Sequence, residues 1–97
     1  MKNTENKIIE WAKAKGISAP TNILKQSDKL LEECNEVIDA IKNGTISDIN
    51  NEIGDVLVVC SILASQNGSD LETCIKLAYE KIKNRKGRTI NGTFIKE

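Results

Sequence analysis

The sequence predicts an all-α fold, a four-helix bundle built from 97 residues. Apolar residues recur at helical spacing through residues 4–15, 21–42, 46–66 and 70–86. The breaks fall at Gly16 to Pro20, at Asn43-Gly44-Thr45 and at Asn67-Gly68, each a helix stop followed by a restart. The one run that invites a strand, Val56 to Ala64, continues the helical pattern of Ile49, Glu52 and Ile53 and is too long for one.

The first helix, 4–15, takes its apolar side from Ile8, Ile9, Trp11 and Ala12 and ends at Gly16. Trp11 is expected to anchor the core or an interface. The second, 21–42, carries Leu24, Leu31, Cys34, Ile38 and Ile41 on one stripe, with Leu30 and Val37 beside them. The third, 46–66, opens on Thr45-x-x-Asp48, which resembles a capping box. Its expected core stripe is Ile49, Ile53, Val56, Leu57, Cys60 and Leu63, and Gly54 is expected to mark a close helix approach. Val56 to Ala64 is apolar all round except at Ser61, so this segment must be covered on every side. The fourth helix, 70–86, begins at Ser69-x-x-Glu72, a second capping box, and points Leu71, Cys74, Ile75, Ala78 and Ile82 inward. Residues 87–97 form a tail whose Ile90, Phe94 and Ile95 require a docking surface.

One domain, 1–97, accommodates this length. So small a chain buries only about 60–65% of its unfolded surface, which favours oligomerisation. Lys+Arg and Asp+Glu are each 14, so no global positive field attracts nucleic acid, and 3% aromatic content argues against base-stacking platforms. The charges are instead segregated, acids between 28 and 55 and bases between 76 and 88. The absence of histidine removes imidazole acid–base chemistry and most transition-metal sites. Cys34, Cys60 and Cys74 are odd in number and widely spaced, and read as small apolar residues rather than a disulfide framework. No signal peptide opens the chain and no apolar run reaches the ~20 residues of a membrane span, so a cytoplasmic location is expected.

The chemistry concentrates in Glu33-x-x-Glu36 and Glu52-x-x-Asp55. Spacing of i, i+3 puts each pair on one side of its helix. The short turn at Asn43-Gly44-Thr45 makes the two helices antiparallel neighbours, so the four acids converge. Converging carboxylates repel unless a cation sits among them. Hard divalent ions take oxygen ligands, and Mg²⁺ in particular is held together with substrate phosphates. Lys81, Asn84, Arg85 and Arg88, at i, i+3, i+4 and i+7, are expected to form one polar strip that contacts phosphate. The competing reading is a solvated basic helix end that complements the helix dipole.

The ordered set Glu33-x-x-Glu36…Glu52-x-x-Asp55, with Lys29-Leu30-Leu31-Glu32 upstream and Lys81 to Arg88 and Gly92-Thr93-Phe94 downstream, resembles the MazG-like superfamily of all-α nucleotide pyrophosphohydrolases. The resemblance spans roughly residues 20–97. It implies a MazG-type helical domain that binds Mg²⁺, or Mn²⁺ in its place, through Glu33, Glu36, Glu52 and Asp55. It implies hydrolysis of a (deoxy)nucleoside triphosphate between the α- and β-phosphates. A carboxylate from Glu32, Glu33 or Glu36 is the expected base; Lys29, Lys81, Asn84, Arg85 and Arg88 are the expected substrate contacts. A relative acting on dUTP, dCTP or phosphoribosyl-ATP, and a non-enzymatic helical interaction module, are the alternatives. The family is oligomeric, and the all-apolar third helix points the same way: a homodimer or homotetramer is expected, seated on Val58, Val59 and Ile62, opposite the Ile53-Leu57-Cys60 side. Neither a nucleic-acid nor a membrane partner is expected.

Overall fold

A computed structural model describes residues 2–97. Helix α1 runs Lys2–Ala14. Gly16, at φ 73°, ends it in a left-handed turn in which the Ile17 N–H donates to the Ala12 carbonyl. The connector is held by Gln66, whose side-chain amide donates to the carbonyls of Ile17 and Ala19. Pro20 then starts a single 3₁₀ turn, Pro20–Asn22, that feeds helix α2, Ile23–Asn43.

The turn into α3, Ile46–Gln66, is as tight as expected. The Gly44 N–H donates to the Ala40 carbonyl, and a Cβ on Gly44 would lie 2.8 Å from that same oxygen. Thr45 and Asp48 form the expected capping box, with bonds of 3.0 and 3.2 Å. The next cap differs from expectation by one residue. The Ser69 N–H donates to the Ala64 carbonyl and so belongs to the terminal turn of α3. Asp70 therefore caps helix α4, Leu71–Ile82, accepting from the Thr73 N–H at 2.7 Å. Glu72 instead pairs with Lys2 and Lys76.

Helix α4 ends at Ile82 rather than at 86. Residues 87–97 are not an irregular tail but mostly a β-hairpin, with β1 Gly87–Ile90 paired antiparallel to β2 Thr93–Lys96. Asn91 and Gly92, at φ 50° and 81°, make its two-residue turn.

Helices α2 and α3 pack antiparallel, α1 packs on α3, and α4 meets α3 less extensively, with Leu71 in its first turn as its buried residue. The buried apolar residues are few: Ala12, Ala40, Val59, Ile62, Ala64 and Leu71. Several expected stripes are therefore inverted. On α3, Val59 and Ile62 are buried within the protomer, whereas Ile53 and Leu57 are exposed. On α2, Leu24, Leu31, Ile38 and Ile41 are exposed. Cys74, Ile75, Ala78 and Ile82 of α4 face outward, and Trp11 is half exposed. Gly54 has no neighbour within 4 Å of where a Cβ would stand, so it marks no close helix approach in the protomer. The radius of gyration, 15.6 Å, exceeds the ~13 Å of a compact chain of about 100 residues, because α4 and the hairpin extend from the rest. None of the helices among the described residues is long and apolar enough to cross a membrane.

Candidate metal centre

Glu33 and Glu36 lie mid-way along α2; Glu52 and Asp55 lie in the second and third turns of α3. The turn built on Gly44 and Thr45 folds the helices so that one oxygen from each carboxylate lies within 4.8 Å of the others. Each helix presents its acids on its buried face. Glu33 shares its side of α2 with Ala40, seven residues on, and Glu52 and Asp55 share theirs with Val59 and Ile62. The acids therefore sit along the α2–α3 interface, between Ala40 near the turn and Val59 and Ile62 further along α3.

Glu33 is buried, Glu52 half-buried, and Glu36 and Asp55 are open to solvent. The Lys29 ammonium stands 3.1 Å from Glu33 Oε1 and 3.4 Å from Glu32 Oε1, and these two carboxylates hold it protonated beyond the usual lysine range. Glu33 Oε2 and Glu52 Oε2 are sealed from solvent, and no N–H or hydroxyl among the described residues donates to them. Hydrogen bonding to Glu33 and then to Glu52, reinforced by their negative charge, pushes the Glu36 carboxyl up to about 7.

This donor set fits a hard divalent cation. It is all oxygen, two of its buried oxygens lack partners, and one lysine is the only cation paired with it among the described residues. Ligands on opposite sides of one ion bound at ~2.0–2.6 Å lie roughly 4–5 Å apart, which matches the observed clustering.

Of the other expected site residues, Glu32 sits beside Lys29, exposed and outside the four-acid cluster. The basic residues do not form one helical strip. Lys81 is on the last turn of α4, Asn84 follows its end, and Arg88 is in β1. Arg85 and Arg88 line a cleft of about 560 Å³ between the end of α4 and the hairpin, with Lys86 and Lys96. None of Lys81, Arg85 or Arg88 pairs with an acid among the described residues.

Sequence reasoning missed Glu5. It is 3% exposed and its Oε1 accepts from the Leu71 N–H, tying α1 to the first turn of α4. The signal was its phase: Glu5 is seven residues before Ala12, the most buried residue of α1, and so shares its face.

Two antiparallel helices thus bring four carboxylates together at one place. The chain matches the MazG nucleotide pyrophosphohydrolase domain over residues 22–89, and it belongs to that family. The match takes in all four acids together with Lys29, Lys81, Asn84, Arg85 and Arg88, and leaves α1 outside. Comparison with curated proteins and with solved structures finds no match.

Proposed function

We propose that the protein hydrolyses (deoxy)nucleoside triphosphates to the nucleoside monophosphate and pyrophosphate, with Mg²⁺, or Mn²⁺ in its place, at the acid cluster. The observation that carries this reading is the convergence of Glu33, Glu36, Glu52 and Asp55 with two sealed, unpartnered oxygens. These four residues would hold the ion, which would supply charge neutralisation for the phosphates and a more acidic water. A carboxylate from Glu32, Glu33 or Glu36 accepts the proton of the attacking water. The water oxygen bonds to the α-phosphorus, the α–β bridging P–O bond breaks, and pyrophosphate departs with its electron pair. Lys29, already at the cluster, and Lys81, Asn84, Arg85 and Arg88 neutralise or hydrogen-bond the phosphates.

The active form is a homodimer or homotetramer. Support comes from the open apolar stripes of α2 and α3, the unpacked face of α4 and the extended shape.

Glu36→Gln and Asp55→Asn test the assignment. Each should keep the helical circular dichroism of the wild type. Each should lower Mg²⁺-dependent hydrolysis by more than about 100-fold, beyond the ~10–100-fold typical of outer-shell partners. Wild-type turnover in both variants would remove the acids from the site.

A further inference from the structure

Resting on the hydrolase reading above, we propose that Lys29 is an exchangeable counter-ion of the acid cluster. It neutralises Glu33 in the metal-free protein. It yields that carboxylate to the divalent cation and passes to the substrate's phosphates, while Glu32 keeps it at the site. The Lys29 ammonium is shared by two carboxylates, 3.1 Å from Glu33 Oε1 and 3.4 Å from Glu32 Oε1. Those two differ in kind. Glu33 is buried and belongs to the four-acid cluster; Glu32 is exposed and stands outside it. No other lysine or arginine among the described residues pairs with Glu33, Glu36, Glu52 or Asp55.

A buried carboxylate stripped of its partner leaves an uncompensated charge, which is strongly destabilising. Lys29 supplies that partner before metal arrives. A divalent cation held by the same four acids compensates Glu33 with a larger charge, and it repels the ammonium beside it. The two cations therefore compete for one carboxylate, and Glu32 determines where the displaced one goes. Glu32 lies outside the cluster, so the ion does not contest it, and it follows Lys29 by three residues, on the same side of α2. A lysine suits the exchange. Its flexible stem ends in an ammonium with three donors, and the Lys29 side chain is 48% exposed, free to move without a change in the helix. With one donor on Glu32, the others are open to phosphate oxygens brought to the cluster. Metal loading thereby prepares the site for the triphosphate, and metal should bind before nucleotide.

The test is calorimetric titration of the metal-free protein with Mn²⁺ alone, then of the Mn²⁺-saturated protein with a nucleoside triphosphate analogue whose α–β bridge is a methylene and resists cleavage. Lys29→Met keeps the stem and removes the charge. With the competing charge gone, it should bind Mn²⁺ about tenfold more tightly than the wild type. It should bind the analogue about ten- to hundredfold more weakly, the range of a hydrogen bond to a charged group. Glu32→Gln removes the alternative seat and should weaken both ligands. Lys25→Met, one turn earlier on α2 and in no ion pair among the described residues, loses the same charge and should leave both affinities near wild type. In chelator Lys29→Met should melt below the wild type, and Mn²⁺ should close the gap. Unchanged or weaker Mn²⁺ binding in Lys29→Met, or an equal gain in Lys25→Met, would overturn the proposal. If Lys29→Met folds in neither chelator nor Mn²⁺, Glu32→Gln decides it, and wild-type Mn²⁺ affinity there would overturn it. Tighter Mn²⁺ and weaker analogue binding in Lys29→Met, from a protein that hydrolyses no triphosphate, would refute the hydrolase reading and leave the exchange standing. Triphosphate hydrolysis by the wild type, with Mn²⁺ affinity unmoved in Lys29→Met, would do the reverse.

Discussion

At the residue scale the protein holds a charge conflict in place. Glu36 faces Glu33 and Glu52, and its carboxyl is pushed up to about 7 from an ordinary 4.5. A carboxyl that binds its proton more tightly folded than unfolded stabilises the fold below its unfolded pKa, and that contribution is lost as pH rises through the folded value. Metal-free protein should therefore lose thermal stability between about pH 4.5 and 7. Asp70 and Glu72 are shifted the other way, Asp70 by the Thr73 N–H and Glu72 by Lys2, so their contributions change only at more acid pH. A divalent ion competes with the Glu36 proton, so Mg²⁺ should raise the melting temperature more at about pH 8 than at about pH 5. Calorimetric scans in chelator and in Mg²⁺ measure both. A melting temperature that climbs across the neutral window in chelator would show that the acids are not in conflict.

At the element scale, what was legible in the sequence was whatever local chemistry dictates. Helix limits followed from Gly16, Gly44 and Gly68, and the Thr45–Asp48 box formed as its spacing requires. The four acids converge because i, i+3 spacing and a two-residue turn leave them little freedom. The hairpin was also written locally: Ile90-Asn91-Gly92-Thr93 places Asn-Gly between β-branched residues, a strong two-residue turn signal. Expected continuity of the basic residues with α4 obscured it. Gly87 belongs to the same device, since a Cβ there would lie 2.6 Å from the Phe94 ring and 2.2 Å from the Ile95 carbonyl. Which side of a helix faces inward was harder to read. Hydrophobicity alone favours Ile53 and Leu57 over Val59 and Ile62 as the inner face of α3. The acids reverse that choice. If Glu52 and Asp55 meet α2, then Val59 and Ile62, seven residues further on, must meet it too. The larger apolar stripes are left for another surface, and periodicity cannot say whether that surface is in the same chain.

At the scale of the whole molecule, the protomer leaves large apolar side chains of α2 and α3 exposed. Leu31 is 65% and Ile41 61% exposed on α2, and Ile53 and Leu57 continue the open surface on α3. Covering one such side chain is worth about 1.5–3 kcal/mol, enough in a symmetric patch to drive pairing. If the proposed assembly forms on this surface, Ile38→Asp or Leu57→Asp should dissociate it and reduce activity with it. Val59→Asp, 4% exposed inside the protomer, should instead unfold the chain. Light scattering across a dilution series separates these outcomes, and a fully active wild-type monomer at micromolar concentration would end the assembly proposal. In the proposed reaction the acid cluster directs water to the α-phosphorus of a nucleotide. Phosphorus NMR of the products, formed from a nucleoside triphosphate in Mg²⁺ and ¹⁸O-labelled water, tests it most directly. Monophosphate carrying the label, with unlabelled pyrophosphate, is the predicted result; labelled orthophosphate with nucleoside diphosphate, or no turnover of any triphosphate, would contradict it.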